Sequence, residues 1–153
     1  MTSPRHQVEI SRTVEALDEE PDEPAIVQAV ELVLNSLERP NSELSLRLVS
    51  EKEMVELNNT YRSKEGATNV LSFPADIQIE QVDILGDVVI CPSVVAKEAN
   101  DFGKTYADRF RHMLVHGVLH LLGYDHMEDQ ERERMETLEI RLLSQLGIEN
   151  PYE

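Results

Sequence analysis

The chain is short of most residues that narrow a protein's options by themselves. It has one cysteine, so no internal disulfide can staple it, and a reducing compartment suits it. It has no tryptophan and only 5% aromatic residues, which leaves aliphatic side chains to build the core. No apolar run approaches the ~20 residues needed to span a bilayer, and the first residues lack the apolar core of a secretory signal. A cytoplasmic protein with no membrane partner is therefore expected. Basic residues are scarce too: 14 Lys and Arg stand against 30 Asp and Glu, for a net charge of −16. Tight, indiscriminate polyanion binding is not expected of such a chain, because phosphate contacts draw on lysine and arginine. The shortage is uneven, however. Residues 47–111 hold 8 basic and 11 acidic side chains, and the rest of the chain holds 6 and 19. The middle leaves room for a local basic groove.

What is present reads as one domain over residues 1–153, long enough for a real core. Val8 and Ile10 alternate with polar residues and predict a half-buried strand over Gln7–Thr13. After an acidic loop, Pro24 can open a helix whose Ile26, Val27, Val30, Val33, Leu34 and Leu37 form one apolar stripe, stopped by Pro40. Leu44, Leu46 and Leu48 alternate as a second strand. Ser50 and Glu53 form a capping-box pair for a helix reaching about Arg62. Thr68–Pro74 and Leu85–Cys91 predict two buried strands joined by a hairpin or loop over Asp76–Asp83, with Cys91 as a small buried side chain. Three helices follow: Ser93–Phe102, one capped by Thr105, and an acidic-fronted one over Glu128–Leu146 whose later arginines complement its dipole. The fold class is α+β: roughly four strands in a mixed sheet covered by about five helices.

The chemistry concentrates in one segment, His116-Gly117-Val118-Leu119-His120-Leu121-Leu122-Gly123-Tyr124-Asp125-His126. Histidines four apart on a helix present their rings on one face. Gly123 can end the helix in a left-handed conformation and bring His126 back against the first two rings. This is the spacing of a three-histidine metal site on a helix and the turn after it, with one coordination position open. His116, His120 and His126 are the candidate ligands, zinc the first choice at one ion per chain, with nickel or another divalent metal possible. His112 lies a turn earlier, but each four-residue step rotates about 40° around the axis, so it is expected to pack or to support a ligand instead. Because ligand imidazoles must be neutral, metal binding should weaken below about pH 6.

A protease built on this spacing carries glutamate after the first histidine as its general base. This chain has Gly117 there, so the cage is retained and that base is absent. Asp125 is the nearest carboxylate; it can orient a water or a ligand imidazole, and it can equally cap the following helix. Phosphodiester cleavage also needs a cation where charge develops on the phosphoryl oxygens, and Arg62 is the candidate.

Four blocks extend the motif: Leu57–Arg62, Thr68–Pro74, Leu85–Ile90 and His116–His126. Together, and in this order, they resemble the YbeY family of bacterial metal-dependent endoribonucleases, which are also rRNA maturation factors. One departure is Ala67, where the family commonly has proline before the threonine. The resemblance implies zinc on His116, His120 and His126, with Arg62 facing the metal across a groove. It implies single-stranded RNA, not DNA, as substrate, and a role in maturing the 3′ end of 16S rRNA and in ribosome quality control. The small ribosomal subunit, and a ribosomal protein that does the targeting the acidic flanks do not, are the expected partners. Two other readings stay open: a non-catalytic ribosome-assembly factor with a structural metal, and a peptidase-like zinc hydrolase.

Overall fold

The computed structural model describes residues 6–62, 69–75, 83–124 and 128–152, with the side chains of 60–62 left out. Four strands and five helices run in the order β1 (Gln7–Arg12), α1 (Glu23–Ser36), β2 (Ser42–Leu48), α2 (Glu51–Arg62), β3 (Val70–Pro74), β4 (Asp83–Ile90), α3 (Pro92–Asp101), α4 (Tyr106–Leu121), α5 (Asp129–Gln145). The sheet order is β1-β2-β4-β3. β1 pairs parallel with β2, β2 parallel with β4, and β3 antiparallel with β4, so the sheet is mixed.

Alternation along β2 decides which face is buried. Leu44, Leu46 and Leu48 point to one side and join Val88 and Ile90 of β4, the α1 stripe (Ile26, Ala29, Val30, Val33, Leu34) and α4 (Phe110, Leu114, Val118) in the main core. Successive side chains alternate, so Val89 and Cys91 fall on the opposite face. There they meet Met54 of α2 and Leu71 of β3 in a second, smaller cluster. Three of the helices start at a side-chain cap. Asp22 accepts from Ala25 N–H at 3.0 Å at the head of α1, Ser50 Oγ accepts from Glu53 N–H at 3.2 Å, and Thr105 Oγ1 accepts from Asp108 N–H at 3.2 Å. The Glu53 carboxylate completes its half of the cap differently from a standard box: it takes the Ser50 hydroxyl and also the Thr13 hydroxyl, tying β1's end to α2.

Two details depart from the sequence reading. β4 begins at Asp83, inside the expected loop, because Asp83 N–H reaches Asn41 O at 2.9 Å and its carboxylate pairs with Arg39 at 2.5 Å. The last turn of α5 carries no basic residue, so the expected dipole complement is confined to Asp129 and Glu131 at its start. The rest of the expected 76–82 loop and the segment around Ala67 lie outside the described residues.

Candidate active site

α4 carries the centre because its two faces are built differently. One face (Phe110, Leu114, Val118) is sealed in the core, and the turn bearing His116 and His120 is only partly covered. The two imidazoles meet edge to face with centroids 4.6 Å apart, and their Nε2 atoms converge to 3.1 Å. α4 then stops at Gly123, whose φ of +98° lets Tyr124 N–H return to Leu119 O at 3.1 Å.

Behind the rings lies a residue that the sequence reading passed over. Glu139 of α5 is fully buried, and its Oε1 sits 2.5 Å from His116 Nδ1. Burial pushes this carboxyl up, but hydrogen bonds from His112 and His116, the His116 charge and the Tyr152 hydroxyl outweigh it and hold the pKa at about 2. An ionised carboxylate only accepts, so the proton of the contact belongs to His116 Nδ1. With its proton on Nδ1, a neutral His116 has its lone pair at Nε2, at the point where His120 Nε2 also arrives. Two convergent imidazole nitrogens, one fixed in tautomer by a buried carboxylate, fit the donor set of a divalent cation.

A second row of contacts supports Glu139. The Tyr152 hydroxyl donates to its Oε2, and burial and that carboxylate push the phenol's pKa upward. His112, 3% exposed, has Nε2 at 3.3 Å from the Tyr152 oxygen and 3.6 Å from Glu139 Oε2. Its Nδ1 lies 3.4 Å from Arg109 Nη1, and guanidinium only donates, so His112 carries its proton on Nε2, toward Tyr152 and Glu139. Arg109 is held in turn by Glu98 at 3.1 Å. His112 thus has the packed, supporting place expected of it.

Gly117 explains why the protease base is missing. A Cβ here would stand 2.8 Å from Val88 Cγ1 and 3.0 Å from Val70 Cγ2, and Ser72 Oγ donates to Gly117 O at 2.8 Å. Position 117 faces the sheet, so a side chain there would enter the β3–β4 surface.

The remaining candidates are only partly placed. Arg62 ends α2, with its side chain outside the described residues; Asp125 and His126 lie outside them altogether. Among the described residues, no group of three or more His, Cys, Asp or Glu is arranged to hold a metal ion, and two of the three proposed ligands are among them.

The model of the family described as Endoribonuclease YbeY matches residues 7–147. The chain belongs to the YbeY family. Its relatives include proteins named Endoribonuclease YbeY from Pseudomonas putida (strain F1), 49% identical over 95% of this chain and 92% of the relative, and from Pseudomonas entomophila, 52% identical over 86% and 85%. A third, from Stutzerimonas stutzeri, is 57% identical over 73% of this chain and 71% of its own. Among solved structures, the solution structure of TM1509 from Thermotoga maritima is similar, with a TM-score of 0.55 and 25% identity over 92% of this chain and 91% of that one. The family expected from the four sequence blocks and the α+β architecture expected from the apolar patterning are thus both found. No helix among the described residues is long and apolar enough to cross a membrane.

Proposed function

We propose that this YbeY-family chain is a zinc-dependent endoribonuclease for single-stranded RNA, acting in maturation of the 3′ end of 16S rRNA and in ribosome quality control. Family membership supports the ribonuclease class. The observation that carries the metal is the meeting of His116 and His120 at their Nε2 atoms, with the His116 proton held on Nδ1 by Glu139. His116, His120 and His126 would hold the ion, zinc first, nickel or another divalent metal in its place. Lewis acidity is the chemistry such an ion supplies there: it acidifies water and polarises a phosphoryl oxygen.

The chain's own residues do the rest. Glu139 fixes the imidazole tautomer and orientation. Arg62 offers a guanidinium to the phosphoryl oxygens as negative charge builds on them. Asp125 orients a water or a ligand imidazole. Gly117 leaves no carboxylate at the protease position, which turns the site away from peptide hydrolysis. A net charge of −16 supports targeting by a ribosomal protein of the small subunit in the cytoplasm, in place of bulk RNA affinity.

The test is cleavage of a single-stranded RNA by wild type beside His116→Ala, purified identically. Activity lost with the histidine is expected. Equal activity in both, or none in either, would overturn the reading in favour of a non-catalytic assembly factor.

A further inference from the structure

The segment after α5 runs from Leu146 to Tyr152 and turns back onto α4. It is anchored by Ile148, which is buried in the main core and whose N–H reaches Leu143 O at 2.9 Å. Asn150 Oδ1 then accepts from Tyr152 N–H at 2.8 Å, which sets the direction of the last turn. Tyr152 is 46% exposed, yet its hydroxyl reaches Glu139, which is 0% exposed, and its ring and that of His112 meet edge to face with centroids 5.4 Å apart.

Glu139 has two oxygens and two duties. Oε1 takes the His116 Nδ1 proton, and Oε2 takes the Tyr152 hydroxyl, with His112 Nε2 nearby. A carboxylate on α5 rotates about its last side-chain bonds unless both oxygens are engaged. Tyr152 engages the second one, and in doing so fixes the plane in which the first meets His116. We propose that Tyr152 is a positioning residue of the metal centre: through Glu139 it sets the orientation and tautomer of His116, so the docked tail is part of the site. Because Tyr152 is exposed, this support is applied from the surface, by a segment held through buried Ile148 and a few hydrogen bonds.

The inference rests on the reading of His116 as a metal ligand, and the experiment separates the two. Zinc affinity is measured by chelator competition for wild type, Tyr152→Phe and Glu139→Gln, with melting temperature recorded for each. In parallel, ring 15N shifts of His116 in the metal-free proteins report its tautomer. Tyr152→Phe keeps the ring against His112 and removes only the hydroxyl, so folding is preserved even where Glu139→Gln fails to fold. The expected result for Tyr152→Phe is zinc affinity weaker by roughly tenfold, the low end for partners of ligand residues. His116 should also shift from pure Nδ1–H toward a tautomer mixture, at a melting temperature close to wild type. Zinc affinity and ring shifts both unchanged in Tyr152→Phe would overturn the inference while leaving the metal reading intact. Wild type that takes up no zinc would overturn the metal reading, and unchanged ring shifts in Tyr152→Phe would then overturn the inference as well.

Discussion

Gly117→Ala tests the packing of the site's helix with a sign as well as a size. In a free helix the change is stabilising, because alanine exceeds glycine in helix propensity by about 1 kcal/mol. Here the added methyl would lie 2.8 Å from Val88 Cγ1, 3.0 Å from Val70 Cγ2 and 3.4 Å from Ser72 Oγ. Val88 is fully buried on β4, and a valine has no long flexible end to move aside. Either α4 lifts from the sheet or both valines leave their rotamers, and overpacking of this kind costs about 1–3 kcal/mol. The balance is a net loss of about 1 kcal/mol, read as a lower urea midpoint at constant slope and a melting temperature down by roughly 2–4 °C. If α4 lay further from the sheet, propensity alone would decide, and the midpoint would rise. A more stable Gly117→Ala would refute the reasoning. Gly117→Glu, the substitution that would restore the protease motif, should not yield folded protein at all. It puts an unpaired carboxylate among Val70 and Val88, at several kcal/mol beyond the steric cost.

Other perturbations probe separate parts of the molecule. The Thr13 hydroxyl, donating at 2.5 Å, lowers the Glu53 pKa below its ordinary value of 4.5, against desolvation and with help from Ser50 and Arg47. A depressed folded pKa contributes stability that is present above the unfolded pKa of 4.5 and is lost as pH falls through the folded value. Thr13→Val should therefore lose stability at neutral pH and flatten the loss below pH 4.5, as followed by urea midpoints across pH 3–7; an unchanged acid limb would contradict the link. Arg62→Glu should keep metal content and melting temperature near wild type while suppressing RNA cleavage; loss of bound metal would make Arg62 structural. His126→Ala should lose both zinc, by metal analysis, and the part of the thermal stability that zinc binding adds, because binding to the folded state alone is linked to folding. Retention of one zinc per chain would remove His126 from the ligand set.

The outline of the fold was legible because burial imposes a period on the sequence. The alternation of Leu44, Leu46 and Leu48 and the stripe from Ile26 to Leu34 each mark one buried face, and the structure buries them. Strand order was not legible. Nothing local in Ser42–Leu48 says that β4, rather than β3, lies beside it, because that choice is made by pairings between segments about forty residues apart, such as Leu46 with Val88. The pair His116 and His120 could be read for the same reason as the stripes: both lie on one helix, and spacing alone brings them together.

Glu139 shows where that kind of reading stops, and what would extend it. α5 is rich in acidic residues, and Glu131, Glu133 and Glu136 give every reason to read one more glutamate as solvated surface. Position relative to the apolar stripe says otherwise. Glu139 follows Met135 by four residues and precedes Leu142 by three, which puts it on the same face as two fully buried side chains. A carboxylate on a buried stripe cannot stay ionised without donors, and it costs too much to leave unpaired. The partners it requires, His116 and Tyr152, come from 23 residues before and 13 after it, beyond the reach of any local pattern. The sequence could thus have announced that Glu139 has partners, and only the packing of α5 and the tail against α4 could say which they are.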